Sequence, residues 1–430
     1  MKRRSFLTGA AALAAMAVAG CGSKESSSSS APATIDPDTT ANLTLAYWDK
    51  NQTGTVTANI KSFNEKYPKV KVTTNLTAYA DYWTKLKTQA QGNEMPDVLW
   101  MNGPHIQLYA SNGMLASLDG LTSQGIGWGN YPKALVDLYS FDGTHFGIPK
   151  DFDTIGVFYN KDIFKAAGVA EPKAGWTWDD FHQKAKAISD WGKSKGVWGC
   201  AAAFNSDAQS TYYNTIPQAD GFVIKDGKSG YDDPKTIAGL QCWTDWIKDG
   251  SVAPSKVATS TPPDQMFENG KCAMFWGGDW MASQLATDLK GKEETFQVVE
   301  LPKGAKQATV IHGLGWSVAE KSANKAAALA LAAHMGSEAA QTMEAKNGTA
   351  IPAFNGTQDA WVKTYPQWDM QLFVDAASDY AVPYPVSKNT AVWADKEPDY
   401  LTPAFSGTTP VPTAAKNLAD FMNAALAKEK

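Results

Sequence analysis

The chain switches repeatedly between two hydrophobic periods. Leu43, Leu45 and Tyr47 occupy every second position, which predicts a half-buried strand, and Val56, Ile60, Phe63 and Tyr67 follow at helical spacing. Alternation resumes at Val70-Lys71-Val72 after Pro68, completing a β-α-β opening. Tyr82, Leu86 and Ala90 predict a second helix ending near Gly92, Asp97-Val98-Leu99-Trp100 a third strand, and His105 to Ser111 a helix leading to Gly113. Such an order is that of a doubly wound α/β lobe, whose ligands gather in loops beyond the carboxyl ends of the strands. Here those loops are Trp48 to Gly54 and Met101 to Pro104.

Past Gly147-Ile148-Pro149 the run Ile155 to Tyr159 predicts another strand. Thr177 and Asp180 are spaced as a capping box, opening a helix with Phe181, Ala185 and Ile188 on one face. Helices are predicted over Pro234 to Lys248, Pro263 to Asn269 and Ala323 to Met335, and a strand over Cys272 to Trp276. Near the end, Thr413 is expected to cap a helix whose core face is Leu418, Phe421, Met422, Ala425 and Leu426. No repeat of fixed period is evident.

Composition narrows the partners. A chain of 430 residues exceeds what one hydrophobic core usually organises, so two lobes are expected. The net charge of −5, without a Lys/Arg cluster beyond the first residues, argues against nucleic acid and anionic lipid headgroups. Sixteen tryptophans stand out. Trp is suited to covering flat apolar ligand faces, though most copies are expected in cores and lobe contacts. No cysteine pair has metal spacing and the five histidines are dispersed, so no metal and no cofactor is expected.

Ahead of the first strand, Lys2, Arg3 and Arg4 precede a short apolar run that ends in Val18-Ala19-Gly20-Cys21. The run is too short to span a bilayer and reads as an export signal. Val18 to Cys21 resembles the bacterial lipobox, in which the cysteine thiol receives a diacylglycerol. Arg3-Arg4-Ser5-Phe6-Leu7 also resembles a twin-arginine signal, so the export route stays open. Ser26 to Ser30 and Ala31-Pro32-Ala33 offer almost nothing to bury and are expected to act as a tether. With Cys21 lipidated, Cys200, Cys242 and Cys272 permit one disulfide and one free thiol.

Several stretches carry a family resemblance. Phe146-Gly147-Ile148-Pro149, Asp153-Thr154 and Phe158-Tyr159-Asn160-Lys161-Asp162-Ile163-Phe164 are similar to the extracellular solute-binding proteins of carbohydrate ABC importers, the group that contains maltose-binding protein. Phe63-Asn64 with Tyr67-Pro68, Pro96-Asp97-Val98, Trp176-Thr177-Trp178-Asp179, Phe267 with Gly270-Lys271, and Gly313 with Gly315 agree in order along the chain. The resemblance implies an α/β, two-lobed periplasmic-binding-protein fold of type II, with a ligand cleft between lobes joined by three crossings. These are expected near Pro149 to Asp151, Leu301 to Pro302, and Gly348 to Pro352. The implied division is a signal over 1–20, a lipidated tether over 21–41, one lobe over 42–149 plus 303–348, and another over 150–302 plus 349–430.

A pyranose offers C–H patches on its faces and hydroxyls at its rim, so its site calls for aromatic plates and bidentate polar groups. In Trp276-Gly277-Gly278-Asp279-Trp280 the resemblance makes Trp280 the principal stacking residue, with Asp279 beside it, while Trp276 is expected in the core. Trp393 resembles a late tryptophan of the family's aromatic wall, and Asp153, with Asp151 as companion, an acceptor for hydroxyls after the first crossing. The loop Trp48-Asp49-Lys50-Asn51-Gln52 is dense in hydroxyl-binding groups, and Asn102 ends the third strand. Tyr82, Trp83 and Tyr212 or Tyr213 are candidates for outer subsites, and Gly313 lies in the returning motif.

The implied activity is capture without catalysis. A mono- or oligosaccharide bridges the lobes of a monomer, and the closed form is delivered to an ABC permease served by a cytoplasmic ATPase. The membrane is touched only through the lipid, on its outer face. Two rivals remain at this point: a secreted polysaccharide-acting enzyme using Asp151 and Asp153, and a binder of a polyamine or other non-sugar solute.

Overall fold

The computed structural model describes residues 34–204 and 208–429. The export signal, Cys21 and the serine-rich stretch lie outside the described residues. No helix among those described is long and apolar enough to cross a membrane.

The opening pattern yields β1 (Ala41–Tyr47), α1 (Thr53–Lys66), β2 (Val70–Leu76), α2 (Tyr79–Gln91), β3 (Val98–Asn102) and α3 (Gly103–Ser111). The chain continues through β4 (Ile148–Pro149), β5 (Asp151–Phe152), β6 (Ile155–Asn160), α4 (Trp178–Gly192), β7 (Trp198–Ala201), α5 (Tyr212–Gln218), α6 (Pro234–Lys248), β8 (Cys272–Gly278), α7 (Met281–Asp288) and β9 (Phe296–Glu300). It then forms β10 (Thr309–Ile311), β11 (Leu314–Val318), α8 (Lys325–Gly336), α9 (Glu338–Asn347), β12 (Ile351–Pro352), α10 (Gln371–Asp379), β13 (Ala381–Pro383), α11 (Thr390–Ala394), α12 (Glu397–Phe405) and α13 (Val411–Leu426).

Two sheets organise these elements. The first has the order β2-β1-β3-β11-β4, with β1 parallel to β2 and β3, and β11 antiparallel to β3 and β4. The second has the order β9-β6-β8-β7, in which β6 runs antiparallel to both neighbours. β3, β6 and β8 are buried along their whole length, as expected for strands covered on both faces. Thr177 and Asp180 make both bonds of the capping box that starts α4.

The strands that pass between the sheets lie side by side. β5 pairs antiparallel with β12, Asp153 bridges to His312, and β10 runs parallel with β13. Lys150, immediately before β5, is fully buried, with its ammonium bonded to Asp151 and Gln52 (each 2.7 Å) and to Glu344. Burial opposes that charge, but Asp151 and Glu344 outweigh it and raise the lysine pKa. The ammonium also lies 4.9 Å from the Trp100 ring.

Two expectations are corrected. The chain does not change sheets at Leu301–Pro302: Lys303 bonds to Trp176, Thr309 to Asn214 and Ile155, and Val310 packs in the second core. The change occurs at His312–Gly313, where a Cβ on Gly313 would lie 2.2 Å from the Asp151 carbonyl. Thr413 is not a cap, because Pro410 is the N-cap and α13 begins two residues before Thr413. Cys200, Cys242 and Cys272 are all free thiols, and burial pushes each above its ordinary pKa.

Candidate functional site

A cleft of about 560 Å³ opens where the crossing strands meet the carboxyl ends of the two sheets. Its size lies within the range of about 300–1,000 Å³ common for small-molecule sites. The first sheet supplies Trp48, Asp49, Asn51 and Gln52 from the turn after β1, Tyr79 from the start of α2, and Asn102 from the end of β3. The second supplies Asp279 and Trp280 after β8, with Met281 and Gln284 on α7. Asp151, Phe152, Asp153, His312 and Tyr384 come from the crossings.

The aromatic wall on the first side is anchored through Trp48. Its ring meets Tyr79, Tyr82, Trp83 and Trp100 at centroid distances of 5.5, 4.9, 5.7 and 5.1 Å. Such edge and tilted contacts are each worth roughly 0.5–1.5 kcal/mol beyond buried area, so the ring is held before a ligand arrives. Asn102 is braced as well: its Oδ1 accepts from His105 Nδ1 at 2.8 Å, and its Nδ2 donates to Tyr79 Oη at 3.3 Å.

Opposite, the Trp280 ring lies over the backbone of Gly278. A Cβ at Gly278 would sit 1.8 Å from Cζ3 of that ring, so the glycine is what lets the indole fold back along the cleft. Asp279, just before it, is buried and accepts the Thr154 N–H at 3.1 Å. Burial, then repulsion from Asp153, holds its carboxyl well above the usual carboxylate range. Gln209 Nε2 donates to Asp153 Oδ1 at 2.6 Å. Both Asp151 oxygens are engaged, one by the Leu314 N–H at 2.7 Å and one by Lys150.

His312 is neutral, because burial pushes its pKa down to about 3. Gly103 N–H donates to its Nε2 at 3.1 Å, which leaves the ring proton on Nδ1, 4.0 Å from Asp153 Oδ1. Tyr384, held by its N–H to the Ile311 carbonyl, lies 4.5 Å from the His312 ring.

Of the residues singled out from sequence, Trp280, Asp153, Trp48, Asp49, Asn51, Gln52, Asn102, Asp151 and Asp279 come together in this cleft. Others do not. Trp393 is fully buried in the second core, its Nε1 bonded to Ser387 Oγ at 2.8 Å. Tyr212 and Tyr213 donate to the buried carboxylate of Glu397. Tyr82 is core, donating to the Trp100 carbonyl, and Trp83 stands behind Trp48, stacked on His105 at 3.6 Å. Lys50 points to solvent, and Gly313 serves the crossing rather than the cleft wall.

Tyr79, Gln209, His312 and Tyr384 were missed. Tyr384 had a signal in the Pro383-Tyr384-Pro385 run, where flanking prolines stiffen the backbone around a single ring, whereas His312 had none beyond its neighbour Gly313. A second hollow of about 650 Å³ lies between α6 and residues 405–412, but it gathers none of the predicted residues. Among the described residues no group of His, Cys, Asp and Glu could hold a metal ion.

The family model for bacterial extracellular solute-binding proteins matches residues 49–342, which is most of the chain. This chain belongs to that family. As a solute-binding protein it is 25% identical over 435 residues to the maltooligosaccharide ABC transporter solute-binding lipoprotein of Streptococcus pneumoniae, covering 97% of this chain and 95% of the relative. It is 22% identical to a binding protein of Brucella abortus, and there it spans 62% of the relative's length. Among solved structures, the Listeria monocytogenes substrate-binding protein Lmo0181, in complex with cycloalternan, superposes with a TM-score of 0.83 at 23% identity, over 90% of this chain and all of that one. The GacH receptor of Streptomyces glaucescens, determined with and without acarbose, superposes at 0.81 with 21% identity, over 91% of this chain. The two-lobed α/β fold of type II periplasmic binding proteins is therefore the fold of this chain.

Proposed function

We propose that this solute-binding protein captures a sugar, an oligosaccharide by preference, in the cleft and presents it to a membrane permease of an ABC importer. The observation that carries this reading is the facing of aromatic rings across polar groups: Trp48 and Tyr79 on one side, Trp280 on the other, Tyr384 at the crossing, with Asp49, Asn51, Asn102 and Asp153 between. Flat plates meet the C–H faces of a pyranose, and the polar groups between them meet its rim. Because each plate adds only about 0.5–1.5 kcal/mol beyond area burial, and binding has several kcal/mol of lost freedom to offset, a ligand that reaches several plates is favoured.

Ligand contacts made only when the two sides approach would shift the lobes to a closed form that the permease reads. The lobes we assign as residues 42–149 with 313–348, and 155–311 with the chain after β12. Names of the relatives above, which bind maltooligosaccharide, cycloalternan and acarbose, agree with this class of solute. Against the enzymatic rival, both Asp151 oxygens accept hydrogen bonds, from Lys150 and from the Leu314 N–H, which disfavours Asp151 as one of a catalytic pair. Export and lipidation at Cys21 would hold the protein on the outer face of the membrane. The test is a thermal-shift screen against neutral mono- and oligosaccharides, with reducing-end assays alongside. A raised melting temperature without new reducing ends is expected; turnover, or no response to any sugar, would overturn the proposal.

A further inference from the structure

The cleft is lopsided in charge. Asp49, Asp151, Asp153 and Asp279 line it, and among the described residues no lysine or arginine does. Lys50, on the same turn as Asp49, is exposed away from it, and the Lys150 ammonium is fully engaged by Asp151, Glu344 and Gln52 behind the wall. His312 adds no charge, being held neutral by burial. Asp279 adds a second observation. It is only 2% exposed, and its Oδ1 accepts from Thr154, while its Oδ2 accepts no hydrogen bond among the described residues although the side chain lines the cleft.

Building on the sugar reading, we infer that the solute carries a positively charged nitrogen, an amino-bearing saccharide whose ammonium is held between Asp153 and Asp279. A hydroxyl both donates and accepts and is served as well by the amides of Asn51, Asn102 and Gln209, whereas an ammonium has donors alone and matches the carboxylate oxygens of Asp153 and Asp279. The neighbouring Trp280 and Tyr384 rings add cation–π attraction. A phosphate or uronate, in contrast, meets carboxylates with no cation to offset them. The groups that face Asp279 are Asp151 and Asp153 from the first crossing and Tyr365 from the segment after β12, with Lys150 behind Asp151. An arriving cation stabilises the Asp279 carboxylate, so binding of the amine releases a proton to the buffer.

The experiment is calorimetry on a saccharide panel in which matched members differ at one position, hydroxyl against amino, acetamido and carboxylate, with spermidine as an added arm. The amino member is expected to bind at least about tenfold more tightly than its hydroxyl counterpart, the gain of a charge-assisted bond. Its apparent enthalpy should change between buffers of different ionisation enthalpy. Asp279→Asn, and independently Asp153→Asn, should close most of that gap. A hydroxyl or carboxylate member that binds as tightly as its amino counterpart overturns this inference while leaving the sugar reading intact. Spermidine binding more tightly than every sugar, or no sugar binding at all, overturns both.

Discussion

Replacing Gly278 by alanine probes the cleft without touching a polar group. The new Cβ would lie 1.8, 2.1 and 2.3 Å from Cζ3, Cε3 and Cη2 of Trp280. Non-bonded carbons settle at about 3.5–4.0 Å, so the indole must retreat by roughly 1.5–2 Å. Its backbone is not in the left-handed region, so alanine adds no conformational strain. The obstructing atoms belong to a side chain at the cleft wall, which can swing. The protein is therefore expected to stay folded, with stability changed by less than about 1 kcal/mol. Losing the placed plate removes roughly 0.5–1.5 kcal/mol of stacking, or about two- to thirteenfold in Kd. Calorimetry on Gly278→Ala, Trp280→Ala and the double variant forms a cycle: the double variant should bind like Trp280→Ala alone, since the glycine acts only through the ring. An unchanged Kd in Gly278→Ala, or additive losses in the cycle, would refute the role given to Trp280.

Trp393→Ala should cost about 3–5 kcal/mol of stability, as for other buried large-to-small changes, while the folded fraction keeps its ligand affinity; equal losses in both, read by chemical denaturation and calorimetry, would return Trp393 to the site. Lys150→Met leaves Asp151 and Glu344 without their cation and should destabilise by about 3–5 kcal/mol, with partial rescue by Glu344→Gln in urea melts. His105 and His312 are both held neutral by burial, with pKa lowered from 6.5 to about 3. Because the unfolded chain takes up protons first, stability is whole above about pH 6.5 and declines toward pH 3, at up to roughly 1.4 kcal/mol per pH unit for each histidine. Urea melts from pH 7 to 4 should show this, and the His105→Gln/His312→Gln pair should flatten it. Protein starting near Thr34, without Cys21, should bind solute like the full chain, since the cleft uses no residue before Trp48.

Local periodicity carried most of the fold. The alternation of Leu43, Leu45 and Tyr47, the helical face of α4 and its capping box all reappear, because each is decided by neighbours in sequence. Half of the cleft was legible for the same reason: the turn after β1 and Asn102 sit at carboxyl ends of strands that the pattern located. What sequence missed depends on long-range packing. Residues 303–311, which the resemblance places in the first lobe, stay with the second sheet because Thr309 is bound to Asn214 and Ile155. Trp393 and Trp280 are chemically alike. One lies on α11 and is enclosed in the second core, whereas the other lies on Gly278 at the carboxyl end of β8. His312 reaches the cleft only because the second crossing passes beside Asp153 and the start of α3.

The central claim, that the cleft between the two sheets is where solute is held, is tested most directly by a crystal structure of the protein with the tightest saccharide of the panel. The sugar is predicted between Trp48 and Trp280, with a polar group within hydrogen-bond distance of Asp153. A saccharide bound elsewhere, such as the hollow beside α6, with this cleft empty, would contradict it.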